Sequence, residues 1–281
     1  MTSLSTRLRY LPLLVAMAGG FFATGCAWDP TRESATTPLR TYVLVHGAFE
    51  NQAIWGAVRQ GLEQAGQRVI TVDLPGRDGD ATPADQLTLD LYRDTLEKCI
   101  ASLGAPAILV GHSFGGITIS NVAEQHPEQV STLVFLAALL PRDGDSALAL
   151  SRADKTNAIA PGSLVVSPDH QWGSLLPGDP QAQQALFCAD CTPEQAARFK
   201  GSLMPEPIAP LRTQVHLSAE RYGRVDKVYI ATDDDRIVSP QAQRDMLAAT
   251  PTRQVVHLAS SHSPFLSQPA TLVRLLLAID R

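Results

Sequence analysis

Short apolar runs alternate along the chain with segments whose apolar residues recur at helical spacing. The segment from Ala53 to Ala65 shows this spacing clearly, as does the segment around Leu89 to Ile100. Continuously apolar strands that alternate with amphipathic helices are typical of a parallel sheet covered on both faces. The sequence therefore predicts an α/β domain with a doubly wound, mostly parallel sheet. Its strands are predicted at Thr41 to His46, Arg68 to Asp73, Ala107 to Val110, Thr132 to Ala137, Lys227 to Ala231 and Gln254 to Leu258, with a closing helix from Thr271 to Ile279.

The alternation stops between Pro141 and about Tyr222. Pro and Gly are frequent in this segment, and its apolar residues fit short helices. An insertion of this length inside a compact domain is usually functional. We therefore predict a helical cap at about 141–222, inserted into a domain that spans 41–281. A separate small domain of unrelated role is the alternative.

The first residues predict export. Arg7 and Arg9 precede an apolar stretch that ends near Phe22 and is shorter than the ~20 residues of a transmembrane helix. The stretch is followed by Ala23-Thr-Gly-Cys26, which resembles the lipobox of bacterial lipoproteins.

This resemblance implies a signal peptide over 1–25 and lipidation of Cys26, followed by a polar, Pro-broken tether over 26–40. The expected location is the bacterial cell envelope, with the lipid anchor as the membrane contact. If Cys26 is incidental, a plain signal peptide gives a periplasmic or secreted protein instead.

Composition narrows the class of partner. Lys and Arg total 23 and Asp and Glu total 28 in 281 residues, a formal net charge of −5. A nucleic-acid binder would need a clustered basic face, so nucleic acid is not an expected partner.

The pair Cys188 and Cys191 lies in the predicted cap. One Cys-x-x-Cys without a second pair or an adjacent His is weak evidence for a metal site, so no metal and no cofactor are predicted. In an oxidising compartment a short disulfide forms readily, and two free thiols are the alternative.

The segment Gly111-His-Ser-Phe-Gly-Gly116 carries the strongest chemical signal. It follows a predicted strand and precedes a helical run, the context in which Gly-x-Ser-x-Gly forms a nucleophile elbow. The turn is strained, and side chains at its glycine positions would clash with strand and helix. Ser113 is therefore the predicted nucleophile.

A serine hydroxyl needs a neighbouring base and a carboxylate that orients the base. His262 lies in a polar loop directly after the last predicted strand, whereas His257 lies within that strand as a packing residue. The strand from Lys227 leads into three acids, Asp233, Asp234 and Asp235, which composition alone does not separate. Asp143 and Asp145 are competing acids. The order Ser, Asp, His along the chain matches α/β-hydrolases.

These motifs resemble the α/β-hydrolase superfamily, and within it the branch of methyl-salicylate-type esterases, hydroxynitrile lyases and their bacterial relatives. The resemblance extends over roughly Thr41 to Ile279. The matching segments are Leu44-Val-His-Gly-Ala48, Asp73-Leu-Pro-Gly76, Leu109-Val-Gly-His-Ser-Phe-Gly-Gly116, Leu133-Val-Phe-Leu-Ala-Ala138, Cys191-Thr-Pro-Glu194, Val228-Tyr-Ile230, Gln243-Arg244, and His262 with Leu266-Ser-Gln-Pro269.

The resemblance implies an α/β-hydrolase fold and cleavage of a small carboxylic ester through an acyl-enzyme. It places the triad acid on Asp235, with Asp233 and Asp234 as fallbacks, and the oxyanion hole on the backbone N–H groups of Ala48 and Phe114. Hydroxynitrile lyases of this branch carry a Lys after the catalytic His, and Ser263 at that position argues against a lyase.

Two other functions use the same triad. Some α/β-hydrolase relatives are ligand receptors, and others transfer the acyl group to an alcohol or a peroxide. The sequence does not choose among these, and it does not predict the oligomeric state.

Overall fold

The structure, a computed structural model, describes residues 39–77, 79–199 and 201–279. The predicted signal peptide and the predicted lipidation site Cys26 lie outside these residues, as does most of the tether. None of the described helices is long and apolar enough to cross a membrane.

A six-stranded parallel sheet forms the centre of the domain. Its order is β2-β1-β3-β4-β8-β9, and every pair of neighbours is parallel. The strands are β1 (Thr41–Val45), β2 (Arg68–Val72), β3 (Ala107–His112), β4 (Val130–Leu136), β8 (Asp226–Thr232) and β9 (Gln254–Leu258), with three further strands, β5 to β7, outside this sheet. Each predicted strand is present.

Helices cover both faces of this sheet. Two clusters of buried apolar side chains lie on opposite faces: α2 and α3 pack on one, and α1 and α10 on the other. The helices are α1 (Gly56–Gln64), α2 (Leu89–Ala101), α3 (Gly115–Gln125), α4 (Ala147–Ala153), α5 (Pro180–Phe187), α6 (Pro193–Phe199), α7 (Ile208–Arg212), α8 (Pro240–Ala249), α9 (Pro264–Ser267) and α10 (Pro269–Ala278). The predicted doubly wound α/β fold is confirmed.

The segment between β4 and β8 is not purely helical. It contains α4 to α7 and also an antiparallel sheet of order β5-β6-β7, formed by Leu164–Val166, Trp172–Leu175 and Glu206–Pro207. The expectation that its apolar residues fit short helices is wrong for Trp172 and Leu175, which lie on β6, and for Leu176, Leu203 and Met204, which lie in loops. Strands of two to four residues are too short to show the alternation that predicts a strand.

Candidate active site

Ser113 lies on a strained turn between β3 and α3. Its φ is +52°, in the left-handed region that a side chain other than glycine adopts at a cost. The backbone is held on both sides, because Ser113 N–H donates to Leu136 O at 3.2 Å and Ser113 O accepts from Leu139 N–H at 3.0 Å. The serine is half-buried and lines a cavity.

The glycines around Ser113 are required by close backbone contacts. A Cβ on Gly111 would lie 2.6 Å from the carbonyl oxygen of Gly115, and a Cβ on Gly116 would overlap the carbonyl oxygen of Leu139. A Cβ on Gly115 would lie 2.9 Å from the carbonyl oxygen of His46. The pattern of the motif therefore reflects how closely α3 approaches the ends of β1, β3 and β4.

His262 and Asp235 form a buried pair. His262 Nδ1 lies 2.8 Å from Asp235 Oδ2, and both side chains are fully buried. Asp235 Oδ2 also accepts from the Thr232 hydroxyl at 2.8 Å, and Oδ1 accepts from the N–H groups of Ile237 and Val238 at 2.8 and 3.0 Å. Because Asp235 acts as an acceptor on both oxygens, Nδ1 of His262 carries the proton.

The other ring nitrogen of His262 is free to accept. Nε2 is buried and has no hydrogen-bond partner within the described residues. With Nδ1 protonated, Nε2 presents a lone pair, which is the state that a general base requires.

None of the remaining candidate acids bonds to the His262 ring among the described residues. Asp145 lines the same cavity as Ser113 and accepts from Arg142 N–H at 2.9 Å. Asp233 is exposed and contacts His257 at 2.8 Å, and Asp234 is exposed too. Asp143 accepts from the backbone of Leu217. The expectation that His257 is a packing residue is wrong, because its side chain is 64% exposed on β9, the edge strand of the sheet.

The two residues that carry the predicted oxyanion amides line the same cavity as Ser113. Ala48 and Phe114 both line it, and among the described residues neither N–H donates a hydrogen bond. Gly47 comes so close to Ser113 that a Cβ on Gly47 would lie 2.9 Å from Ser113 Cβ. The loop after β1 and the elbow are therefore in direct contact.

The cavity has a volume of about 480 Å³ and mostly apolar walls. Residues from the core domain and from the inserted segment contribute to it. They include Leu139, Leu140, Leu148, Ile159, Leu164, Leu175, Phe187, Ile237 and Met246. Such a cavity accommodates a small apolar molecule with its reacting group at Ser113.

The inserted segment also contacts the loop that carries His262. The Phe187 ring packs edge-on against the His262 ring, with centroids 5.6 Å apart. Asp190 accepts from the hydroxyl of Ser260 at 2.9 Å and from that of Ser261. Cys188 and Cys191 flank this aspartate and are joined in a disulfide, with Cα atoms 5.2 Å apart.

The same two sulfurs and Asp190 form a group of potential metal ligands within 4.8 Å of one another. Both sulfurs are already bonded to each other, and the carboxylate of Asp190 is engaged by serines. The hydrogen bonds that Asp190 accepts from Ser260 and Ser261 connect the cap to the loop that carries His262.

Sequence reasoning missed a buried network of charged residues beneath the site. Glu206 of β7 is fully buried, accepts from Phe49 N–H at 2.7 Å and pairs with Arg77 at 2.5 Å. Arg77 Nε donates to the carbonyl oxygen of Glu50 at 2.8 Å, and Glu50 contacts His112 at 2.9 Å. Burial raises the pKa of Glu206 above its ordinary value, although Arg77 opposes this effect.

His46 is a neutral histidine in this network. Its Nε2 accepts from Leu74 N–H at 3.1 Å and its Nδ1 faces the carbonyl oxygen of Gly47 at 2.8 Å. Burial, aided by the charge of Arg77, lowers the pKa of His46 to about 4. For His46, Glu50 and Arg77 the signal in the sequence was their place in the loops after β1 and β2, and Glu206 on β7 carried no such signal.

Comparison with known proteins places this geometry in a family. Residues 42–275 match the model of the Alpha/beta hydrolase family. The match covers most of the chain, and the chain therefore belongs to the α/β hydrolases.

Similar proteins include several plant esterases. Methylesterase 7 of Arabidopsis thaliana is 30% identical over 253 residues, which cover 85% of this chain and 96% of that protein. Methyl jasmonate esterase 1 of Vitis vinifera is 29% identical, with coverage of 83% and 94%. These relatives confirm the predicted class, an ester-cleaving α/β hydrolase.

Solved structures agree with this class. The crystal structure of polyneuridine aldehyde esterase superposes with a TM-score of 0.74 at 26% identity, over 86% of this chain and 100% of that chain. A pyrethroid hydrolase from Sphingobium faniae JZ-2 gives 0.77 at 25% identity, over 85% and 96%.

Proposed function

We propose that this chain hydrolyses a small carboxylic ester through Ser113, His262 and Asp235. The observation that carries the proposal is the buried pair of His262 Nδ1 and Asp235 Oδ2 at 2.8 Å, which leaves His262 Nε2 without a hydrogen-bond partner among the described residues. His112, the neighbour of Ser113, contacts the backbone oxygen of His262. Ser113 itself lies on a strained turn and opens into an apolar cavity.

The chemistry follows from these positions. Ser113 Oγ attacks the acyl carbonyl while His262 Nε2 takes its proton, and the negative charge on the carbonyl oxygen is stabilised by the N–H groups of Ala48 and Phe114. His262 then protonates the departing alcohol, which leaves an acyl-enzyme. A water molecule that gives its proton to His262 releases the acid and restores Ser113. Asp235 stabilises the imidazolium in both halves of the cycle.

The test is a pair of serine variants in the same cavity. We expect Ser113→Ala to lose turnover of short-chain nitrophenyl esters and labelling by a fluorophosphonate probe, while its thermal unfolding stays close to that of the wild type. Ser151→Ala is the matched control, because Ser151 lines the same cavity away from the elbow. Full activity in Ser113→Ala, or loss in Ser151→Ala alone, refutes the assignment.

The apolar walls of the cavity favour neutral acyl and alcohol groups. Hydrolysis rates on a panel of esters, in which the acyl and alcohol parts vary in length, show which part binds in the 480 Å³ cavity. A single slow turnover on every ester would identify a ligand receptor, and faster product formation with added alcohol or peroxide would identify an acyltransferase.

We further propose that the protein is exported and lipid-anchored through Cys26. This rests on the sequence Ala23-Thr-Gly-Cys26 at the end of an apolar stretch. Expression of the full chain in a bacterium with radiolabelled fatty acid should label the wild type and not Cys26→Ala. Equal labelling of the two overturns the proposal.

A further inference from the structure

Glu50 is a buried carboxylate with no part in the chemistry described above. It lies on the loop after β1, two residues beyond Ala48, and is 1% exposed. Its Oε2 accepts from Gly47 N–H at 3.1 Å, which closes the loop that presents the Ala48 amide. The geometry of the proposed oxyanion hole therefore depends on the position of this carboxylate.

The same oxygen contacts His112, the residue before Ser113. His112 Nδ1 lies 2.9 Å from Glu50 Oε2, and His112 Nε2 lies 3.0 Å from the backbone oxygen of His262. These contacts join residues that are 62 and 150 positions apart. One imidazole thus connects the loop after β1, the elbow after β3 and the loop after β9.

Both nitrogens of His112 face acceptors. A backbone carbonyl oxygen only accepts, so Nε2 carries a hydrogen. Burial on its own would raise the pKa of Glu50, but the charge of His112 and its hydrogen bond to the carboxylate outweigh burial and hold that pKa below its ordinary value. An ionised carboxylate also only accepts, and Nδ1 must then carry a hydrogen as well.

We propose that Glu50 is a positioning residue for ester hydrolysis: its Oε2 fixes the Gly47 amide and holds His112 as a doubly protonated imidazolium, which in turn fixes the His262 carbonyl. This role rests on the proposed function of the triad. Glu50 does not touch the substrate, and it acts through the backbone of the residues that do.

Packing alone does not explain the hydrogen bonds of the Glu50–His112 pair. A buried ion pair costs several kcal/mol in lost hydration per ion, and an apolar pair of similar volume fills such a space at less cost. The pair accepts from the N–H group of Gly47, next to the proposed oxyanion hole. It donates to the carbonyl oxygen of His262, the proposed base.

The pair lies among other charged and titratable groups. Arg77 donates to the backbone oxygen of Glu50 and is itself neutralised by Glu206, and burial keeps His46 neutral. The His262 ring packs against the His112 ring, with centroids 4.6 Å apart. The rings of Trp55 and Phe265 lie edge-on to His112, at 6.5 and 4.8 Å. The charge of His112 is therefore balanced by Glu50 and by no other group in direct contact among the described residues.

The protonation of His112 is measured without any substrate. In the full chain labelled with ¹⁵N-histidine, the ring nitrogens of His112, assigned by comparison with His112→Gln, should both carry a proton at neutral pH. In Glu50→Gln only Nε2 should remain protonated, because no carboxylate is left to stabilise the cation. A His112 ring with a single proton in the wild type overturns the proposal.

The consequence for the site is measured by kinetics. Glu50→Gln should lower kcat by about 10²-fold with KM nearly unchanged, because a displacement of reacting groups near 1 Å has an effect of that size. Glu50→Asp keeps the charge and should recover part of kcat. Glu63→Gln, an exposed substitution on α1, is the matched control and should leave kcat unchanged. Wild-type kcat in Glu50→Gln overturns the positioning role.

The two proposals fail in different ways. If the wild type hydrolyses no ester, the ester-hydrolase function fails, and the rate of fluorophosphonate labelling of Ser113 replaces kcat in the same comparison. If Glu50→Gln does not fold, the wild-type spectrum and Glu50→Asp decide. Aspartate is one methylene shorter and displaces the carboxylate, so the kcat of Glu50→Asp should lie below that of the wild type. A singly protonated His112 in the wild type, or a wild-type kcat in Glu50→Asp, overturns the proposal.

Discussion

The substitution Asp235→Asn tests the triad through the tautomer of His262. An asparagine has one oxygen and one NH₂ where aspartate has two oxygens. At Oδ1 the protein presents two donors, the N–H groups of Ile237 and Val238 at 2.8 and 3.0 Å. An NH₂ there would leave both donors without an acceptor, at about 1–3 kcal/mol each.

The asparagine therefore places its NH₂ at the position of Oδ2. There it faces Nδ1 of His262 at 2.8 Å and the hydroxyl of Thr232, which rotates to accept. An NH₂ donor forces Nδ1 to accept, and the histidine proton moves to Nε2. His262 is then unable to take the proton of Ser113, although its ring stays in place.

The expected loss of kcat is about 10⁴-fold, the size known for the same tautomer change in a Ser-His-Asp triad, or roughly 5.4 kcal/mol of transition-state stabilisation. Urea unfolding should show a loss of about 1–3 kcal/mol, because the buried Thr232 hydroxyl loses its acceptor Oδ2 while the N–H groups of Ile237 and Val238 keep theirs. The assay is steady-state hydrolysis of a short-chain nitrophenyl ester, with stability measured on the same preparation.

Asp233→Asn and Asp234→Asn are the controls, since both carboxylates are exposed. They should retain kcat nearly in full. A kcat for Asp235→Asn close to that of either control would refute the reasoning, and a large loss in Asp234→Asn alone would move the acid by one residue.

Two further predictions concern stability. Gly116→Ala should destabilise the fold by about 3 kcal/mol in urea unfolding, because its Cβ would overlap the backbone oxygen of Leu139. The control Gly56→Ala meets open space at the start of α1 and should be neutral or stabilising. Equal effects of the two substitutions would contradict this. Because the pKa of buried His46 is lowered from 6.5 to about 4, the unfolded chain binds a proton that the folded chain does not, and stability should fall as pH drops from 6.5 towards 4. The wild type should lose about 3 kcal/mol more than His46→Gln over that range, and parallel curves would show that His46 is not the cause.

The parallel sheet could be predicted from the sequence because its strands are buried on both faces. Runs such as Tyr42 to Val45 are continuously apolar and fully buried, so the pattern and the burial coincide. The same rule failed at β9, where His257 points to solvent. An edge strand has one neighbour only, and the sequence does not say which strand lies at the edge.

The three residues of the proposed triad stand out in the sequence because each follows a strand and lies in a local motif. Glu50, Arg77 and Glu206 do not, because their burial depends on contacts between segments far apart in the chain. Arg77 and Glu206, for example, are 129 residues apart. Charged residues are usually exposed to solvent, and nothing in their local sequence distinguishes these three.

The strand order explains why the loop that carries His262 needs anchors. Asp235 follows β8 and His262 follows the neighbouring β9, but Ser113 follows β3, three strands away from β9. Neighbouring strands lie about 4.8 Å apart, so the histidine must cross roughly 14 Å of sheet edge.

Three residues lie between Leu258, the end of β9, and His262, so four Cα–Cα steps join the two. Four steps reach at most about 13–14 Å, nearly the whole distance. So short a connection leaves little room for local bonds, and its position depends on what it contacts. The contacts come from Asp234 N–H, which donates to the carbonyl oxygen of Ser260 at 3.1 Å, from Asp190 in the cap, and from His112. Of these, the bond from His112 reaches His262 itself and begins at the residue next to Ser113. The imidazole of His112, paired with the buried carboxylate of Glu50, therefore holds His262 across the longest distance that the strand order imposes on the site.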